Sequence, residues 1–187
     1  MNDNSLYLSG VERTFDVDEI IVSKTDLKGR ITYANRVFLK VAGYTEEEVL
    51  GKPHNCIRHP AMPRCVFRLL WSTIQSGKEI FAYVINRAKN GDHYWVFAHV
   101  TPSIDRNGRV VGYHSNRRSP SRSAIEAVEP IYANLVEAER PFSSPIAACA
   151  ASTPILESLL AQQGVSYDEF VFSLARPSTS PKTACVR

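Results

Sequence analysis

The sequence predicts an α+β domain, with a five-stranded antiparallel sheet, helices on one face of that sheet, and additional C-terminal helices. Strand-like segments cluster at both ends of residues 20–118, and helical periodicity fills the stretch between the second and third strands. Turn sequences rich in Gly, Asn and Asp join the paired strands, as they do in hairpins. Strands at both ends with helices in one insertion indicate an antiparallel sheet covered on one side.

The chain begins with a leader, a hairpin and a short helix. The leader, residues 1–19, precedes strand-like segments at 20–25 and 30–34. Apolar residues at helical spacing follow Asn35 and stop at Gly43. This order predicts a strand pair that leads directly into a helix.

A loop and a longer helix come next. Thr45 and Glu48 form a capping box that starts a short helix. Residues 52–63 contain three prolines and no periodicity, so we expect a loop there. Pro63 suits the first position of the following helix, which stops at Gly77.

The central hairpin carries the mixed surface that is typical of a pocket wall. Strand-like segments at 80–88 and 93–104 flank Lys89-Asn90-Gly91-Asp92, and Asn-Gly between such runs is a strong hairpin signal. Alternation about this turn predicts Asn86 and Trp95 on one face, where polar groups lie among large side chains.

Three more segments are expected after the last strand, residues 109–115. Residues 119–140 predict an amphipathic helix with an apolar stripe from Ile125 to Leu135. Residues 141–175 predict a linker with short helices, and residues 176–187, rich in Pro, Ser and Thr, predict a disordered tail.

Composition and charge exclude several classes of function. The 187 residues are 44% hydrophobic and 22% charged, which is typical of a globular protein. The net charge of +3 does not indicate nucleic-acid binding, and the dense basic spot at Arg117, Arg118 and Arg122 lacks interleaved aromatic residues. No apolar run is long enough to span a membrane and no signal peptide is recognisable, so we expect a cytoplasmic location without membrane insertion.

Neither metal nor enzyme chemistry is indicated. The cysteines form no Cys-x-x-Cys pair, which argues against a zinc site and against a disulfide framework. No Ser-His-Asp or Cys-His spacing is suggestive, and paired carboxylates occur in helical runs such as Glu46-Glu47-Glu48. We therefore do not predict an enzyme. The cysteines are Cys56, Cys65, Cys149 and Cys185.

The order of elements over residues 20–118 resembles the PAS sensor fold. Three more specific motifs resemble the PAS domain of the bacterial aerotaxis receptors: Pro53-His54-Asn55, Arg58-His59-Pro60-x-Met62-Pro63, and the run from Asn86 to Val96. In that family the pocket holds FAD and reports redox state to the chemotaxis machinery. The resemblance therefore implies a bacterial flavoprotein that acts as a redox or oxygen sensor.

The chain also departs from the receptor pattern. Ala61 stands where an acid is usual, and Ala88 where a basic residue is usual. The membrane segment and the methyl-accepting region of a receptor are not recognisable in the sequence. We therefore expect signalling in trans to a chemoreceptor or another signalling protein, through the exposed sheet face or the stripe from Ile125 to Leu135, with a homodimer as a further possibility.

The candidate cofactor-binding residues come from residue chemistry and from the resemblance. Trp71 suits stacking on a planar ring, and the alternative is a core residue. Arg58 and His59 suit a pyrophosphate or ribose, and the alternative is a solvated loop. Asn86 suits the edge of a flavin ring, whereas Asn35 suits a pocket or simply a helix N-cap. The full set is Asn35, His54, Asn55, Arg58, His59, Trp71, Asn86 and Trp95.

Two other functions compete with the flavin sensor. PAS domains also resemble haem-based oxygen sensors that use one axial imidazole. None of the five histidines lies on the helix after Pro63, which argues against haem; they are His54, His59, His93, His99 and His114. The third function is a ligand-free PAS module used for dimerisation or docking.

Cys56 raises the question of light chemistry. Asn55-Cys56 is similar to the Asn-Cys pair of the blue-light LOV domains, which are flavin-binding PAS relatives. The continuation Ile57-Arg58-His59-Pro60 departs from their Arg-Phe-Leu-Gln sequence. We therefore predict no thiol adduct between Cys56 and a flavin.

Overall fold

The computed structural model describes residues 7–174 and contains the predicted antiparallel sheet. The five strands lie in the order β2-β1-β5-β4-β3, and every neighbouring pair is antiparallel. Their bounds are β1 Ile21–Thr25, β2 Ile31–Ala34, β3 Ile80–Arg87, β4 His93–Ile104 and β5 Val110–Arg118. The fold class predicted from the sequence is confirmed, and β5 is the central strand.

Three helices and a 3-10 turn connect β2 to β3. They are α1 Arg36–Ala42, α2 Glu46–Val49, the 3-10 turn His54–Ile57 and α3 Arg64–Gln75. Asn35 caps α1 by accepting a hydrogen bond from the Phe38 amide, and Thr45 with Glu48 forms both bonds of the predicted capping box. These local signals fix where the chain leaves the sheet and covers its inner face.

The C-terminal helices differ from the predicted linker. They are α4 Arg122–Glu139, α5 Pro145–Gln163 and α6 Tyr167–Leu174. The first part of the predicted linker and short helices, residues 145–163, forms one helix. Ser144 caps α5, and Pro145 occupies the first helical position, where the missing N–H of proline costs no hydrogen bond. The prediction for residues 176–187 lies outside the described residues.

The hairpin turn between β3 and β4 is one residue longer than a two-residue Asn-Gly turn. The Ala88 amide donates to the Asp92 carbonyl at 2.7 Å, so residues 89–91 form a three-residue loop. Gly91 has a φ of 91°, which is the left-handed conformation that this loop type requires at its last position.

The longer loop changes which residues share a face. Asn86 lies opposite Tyr94, and Ile85 lies opposite Trp95. Because successive strand residues alternate between faces, a shift of one residue turns a whole strand over. The prediction that Asn86 and Trp95 share a face is therefore wrong.

The α4 helix packs on the outer face of the sheet at β3 and β4. The apolar stripe that includes Ile125, Val128 and Leu135 is buried, with at most 4% of each residue exposed. Tyr132 donates from its hydroxyl to the Tyr83 carbonyl at 2.7 Å, and its ring lies 6.0 Å from that of Trp95. This stripe packs inside the chain and is not a free surface for a partner.

A buried carboxylate links α4 and α5 to α3. Glu139, the last residue of α4, is 6% exposed. It accepts hydrogen bonds from the Arg64 amide at 2.8 Å, the Cys65 amide at 3.1 Å and the Ser152 hydroxyl at 2.8 Å. It thereby caps the start of α3, where Pro63 offers no side-chain cap.

Residues 9–13 of the predicted leader also pack on the domain. Arg13 donates to the Asp92 carboxylate at 2.8 Å, and the Ser9 hydroxyl donates to the same group at 2.6 Å. These contacts lower the pKa of Asp92 to about 2. Within residues 7–174, no helix is long and apolar enough to cross a bilayer.

Candidate functional site

A cavity of about 330 Å³ lies between the inner face of the sheet and α3. Its walls come from four strands, from α3 and from the loop before α3. Its volume is at the lower end of the range for small-molecule sites. The residues that decide its chemistry are Ser23, Lys28, His54, Asn55, Arg58, Arg68, Trp71, Asn86, Tyr113, Ser115 and Arg117.

Trp71 forms an aromatic wall of this cavity. Its ring meets that of Tyr113 edge to face, with centroids 5.5 Å apart. A Cβ on Gly29 would lie 2.8 Å from the Trp71 ring, so only glycine lets the β1–β2 turn approach this closely. Helical periodicity therefore placed Trp71 correctly on the inner face of α3, and one side of a planar group can lie against it.

Asn86 brings an unsatisfied amide to the cavity. It is 3% exposed, and its Nδ2 has no hydrogen-bond acceptor among the residues the structure describes. A buried donor without an acceptor costs about 1–3 kcal/mol. Since Asn86 lines the cavity, a ligand with an acceptor at its edge would remove this cost.

The charges on the cavity wall all have one sign. Lys28, Arg58, Arg68 and Arg117 line it, and within residues 7–174 no Asp or Glu does. None of these four side chains forms an ion pair within the described part of the chain. The wall therefore suits a ligand that carries negative charge.

Arg58 is held in place by its neighbours. Its Nη2 donates to the Met62 carbonyl at 3.1 Å, and its guanidinium lies 4.9 Å from the centre of the Phe67 ring. The remaining donors of the fork are available to a ligand, and guanidinium groups match phosphate oxygens well.

Arg117 lies at the centre of the sheet and points into the cavity. It is 4% exposed, and its Nη2 donates to the Ser23 hydroxyl at 2.9 Å and to His54 Nε2 at 2.7 Å. Burial lowers the pKa of Arg117 to about 10, so it remains protonated at neutral pH. Burial and this cation lower the pKa of His54 to about 3, which keeps its ring neutral and able to accept.

The structure gathers most of the predicted residues at one place and separates three. His54, Asn55, Arg58, Trp71 and Asn86 line the cavity. Three predicted residues are not among the lining residues: Asn35, His59 and Trp95.

Local contacts explain the three exceptions. Asn35 accepts from the Val22 and Phe38 amides and donates to the Ile20 carbonyl, which accounts for its amide. His59 accepts from the Ala61 amide and packs on the ring of His93, and Trp95 lies on the outer face.

Sequence reasoning missed several lining residues, and the one that is both charged and buried is Arg117. It was grouped with Arg118 and Arg122 as a basic spot, yet Arg118 is exposed and Arg122 pairs with Glu12 at 2.7 Å. The period of a strand carried the signal, because Tyr113, Ser115 and Arg117 alternate onto the inner face.

Neither a reactive cysteine nor a metal site contributes to the cavity among the described residues. Cys56 is half-buried and is not among the lining residues, and burial raises the pKa of its thiol. Within residues 7–174, no group of three or more His, Cys, Asp or Glu side chains is arranged to hold a metal ion.

The protein has an antiparallel sheet whose inner face is covered by helices, and a ligand-sized cavity lies between them. This architecture defines its fold class. The family model for the PAS fold matches residues 31–117. Residues 31–117 therefore match the PAS fold that the sequence motifs predicted.

Individual relatives narrow this class. The chain is 46% identical over 115 residues to the aerotaxis receptor of Escherichia coli K12, covering 62% of this chain and 22% of the receptor. It is 28% identical over 104 residues to the nitrogen fixation regulatory protein of Klebsiella pneumoniae, covering 56% of this chain and 21% of that protein. The chain thus spans about a fifth of the length of these relatives.

A solved structure supports the fold independently. A light-oxygen-voltage domain studied with a flavin analogue superposes with a TM-score of 0.55 and 22% identity, covering 62% of this chain and 88% of that domain. The helices α4 to α6 lie after the residues that match the PAS family model.

Proposed function

We propose that this protein is an FAD-binding PAS sensor of redox state or oxygen that signals to a partner protein in trans. One observation carries the proposal: among the described residues, the cavity combines an aromatic wall, a buried amide without an acceptor, and four cationic side chains without a carboxylate. A flavin dinucleotide offers the matching parts, namely a planar ring, a polar ring edge and two phosphates.

The residues present fit these parts. Trp71 would face the ring, and the unsatisfied Nδ2 of Asn86 would donate to an acceptor at its edge. Arg58, with Lys28 and Arg68, would contact a phosphate-bearing arm that extends out of the cavity, which is too small for a whole dinucleotide. When bound, the flavin supplies reversible uptake of electrons and protons.

Asn86 is placed to respond to a change at the ring edge. When an amide side chain rotates by half a turn, its oxygen and its nitrogen exchange places. It can therefore keep a hydrogen bond to a ring atom that changes between acceptor and donor as it gains or loses a proton. The neighbouring backbone carries the change further, because Asn86 forms a β-bridge with Arg58 in the loop that leads into α3.

The route continues from α3 to the C-terminal helices. Glu139 accepts hydrogen bonds of 2.8 to 3.1 Å from the first amides of α3. A displacement of α3 would therefore move Glu139 and the ends of α4 and α5 that it joins. The proposed output is a change in the surface of these helices, read by a chemoreceptor or another signalling protein.

The identity of the cofactor is tested first. The absorbance spectrum of the purified protein should show flavin bands, and chromatography of the released cofactor should show FAD. A Soret band would support the haem sensor, and the absence of any band would support the ligand-free module. Release of FMN alone would contradict the assignment of Arg58 to a dinucleotide arm.

Arg58→Ala tests the proposed phosphate contact. We expect FAD retention to weaken about tenfold or more, because a charge-assisted hydrogen bond is lost. Arg106→Ala is the matched control, since Arg106 is exposed in the β4–β5 turn, outside the cavity. Equal FAD dissociation constants for the two variants would show that Arg58 does not hold the cofactor.

Hydrogen exchange tests the route from Asn86 to Glu139. We expect the Arg64 and Cys65 amides to exchange at different rates in the oxidised and chemically reduced protein. Asn86→Leu should remove that difference while the fold persists by circular dichroism. A difference that survives in Asn86→Leu would show that the signal does not pass through this amide.

A further inference from the structure

The cavity wall contains a positive charge that no acidic side chain of residues 7–174 balances. Arg117 is 4% exposed and lines the cavity. Its two side-chain acceptors, Ser23 and His54, carry no negative charge. Its Nη1 is buried and has no acceptor anywhere in residues 7–174. A buried guanidinium with this environment is unfavourable unless an anion completes it.

Two neutral donors lie on the same side of the cavity as Arg117, the side formed by the sheet. Ser115, two residues before Arg117 on β5, is 7% exposed, and its Oγ has no partner among the described residues. Asn86 on β3 offers its unpartnered Nδ2. Ala98 of β4 pairs with Arg117 in register and also lines the cavity, where its small side chain occupies little space.

We infer that Arg117, Ser115 and Asn86 form a recognition site for a planar anion, an aromatic ring system whose negative charge is spread over acceptor atoms at its edge. A guanidinium fork is planar and matches such an edge in two hydrogen bonds. Trp71, on the helix side of the cavity, would supply an aromatic wall for such a ring. A phosphate group would pair with the charge of Arg117 but would not stack on the Trp71 ring.

This inference rests on the proposed function in one respect, because it assigns a charge preference to the same cavity. For a bound flavin, it means that the protein favours the ring in a negatively charged form. The site itself is independent of the flavin, since every group that builds it belongs to this chain.

Small probes test the site without the flavin. The flavin-free protein, residues 1–187 in chloride-free buffer of low ionic strength, is titrated with benzoate and with benzamide, which have similar shape and differ in charge. Trp71 fluorescence reports binding in a Trp95→Phe background, because Trp95 lies on the outer face. We expect benzoate to bind roughly tenfold to a hundredfold more tightly than benzamide.

Matched variants assign the preference to Arg117. In Arg117→Met the two probes should bind equally, and in Arg117→Lys the preference should fall without disappearing, since a lysine keeps the charge but loses the fork. Arg118→Met is the control, because it removes the same charge from the adjacent exposed residue. That control should keep the full preference.

Three results would overturn the inference: equal binding of the two probes by the unmodified chain, a preference that persists in Arg117→Met, or inorganic phosphate that binds as tightly as benzoate and loses this affinity in Arg117→Met. If Arg117→Met does not fold by circular dichroism, Ser115→Ala decides instead, with an expected loss of about threefold in benzoate affinity. No loss there would also contradict the site.

The two proposals fail separately. A protein without flavin bands that still prefers benzoate through Arg117 would contradict the cofactor and support the anion site. A flavoprotein without the probe preference would support the cofactor and contradict the anion site.

Discussion

Glu139 and Arg117 are both more than nine-tenths buried, yet the chain treats the two charges differently. Glu139 accepts from two backbone amides and one hydroxyl, and it lies at the start of α3, where a negative charge is favourable. Arg117 has only neutral partners, and one of its nitrogens has none among the described residues. Glu139 therefore stabilises the fold with all its hydrogen bonds made, whereas Arg117 leaves a donor at the cavity that, in our proposal, a ligand satisfies.

The largest expected effect comes from removing the satisfied charge. Glu139→Ala should lower the free energy of unfolding by about 3 kcal/mol, because the Arg64 and Cys65 amides lose their buried acceptor and α3 loses its cap. Urea denaturation of the flavin-free protein measures this change.

Glu137→Ala is the control for this prediction. Glu137 is exposed and pairs with Arg140 across one helical turn, so its removal should change stability by less than about 0.5 kcal/mol. If both variants lost the same stability, the network around Glu139 would not be what holds α3 to the C-terminal helices.

The unsatisfied charge should give a smaller effect of opposite sign. Arg117→Met should leave the flavin-free protein as stable as before or raise its free energy of unfolding by about 1 kcal/mol, because a buried ion without a counter-ion is replaced by an apolar side chain. Urea denaturation compares the two proteins at pH 7. A loss of about 2 kcal/mol or more would show that Arg117, like Glu139, is a structural ion.

The smallest effect at neutral pH is expected at His54, where the difference appears only in acid. Its pKa lies near 3 in the folded protein, because of burial and the adjacent Arg117, against an ordinary value of 6.5 for a histidine side chain in water. The unfolded chain therefore binds a proton between these values and the folded protein does not, so stability falls as the pH is lowered from about 6.5 towards 3.

His54→Gln should remove this contribution to the pH dependence. Urea midpoints at pH 7 and pH 5 are the measurement, and the variant should show the smaller difference. An unchanged difference would mean that the ring is not held in its neutral form beside Arg117.

Local signals made most of the fold predictable. Asn35, Thr45 and Pro63 mark helix starts through hydrogen-bonding and backbone rules that act within a few residues, and the structure follows them. Trp71 and Asn86 reach the cavity because helix and strand periods place them on inner faces.

The predictions were wrong where the length of a turn by one residue, or a contact between distant parts of the chain, determines the position of a side chain. The three-residue loop at 89–91 turns Trp95 away from the cavity, and sequence alone does not distinguish it from the shorter turn. Arg117 and Glu139 look like surface charges in the sequence, because their burial depends on partners far along the chain. The Arg64 amide, for example, is 75 residues from Glu139.

That separation of 75 residues has a consequence for how the protein is made. At typical rates of synthesis, about 5–20 residues per second, a further 4 to 15 s or so pass between the emergence of Arg64 and that of Glu139. Throughout this interval the nascent chain carries an uncapped α3, and a polypeptide that stops at the end of the PAS match, residue 117, never acquires the cap. The residues that match the family model therefore end 22 residues before the carboxylate that caps α3, counted from 117 to 139.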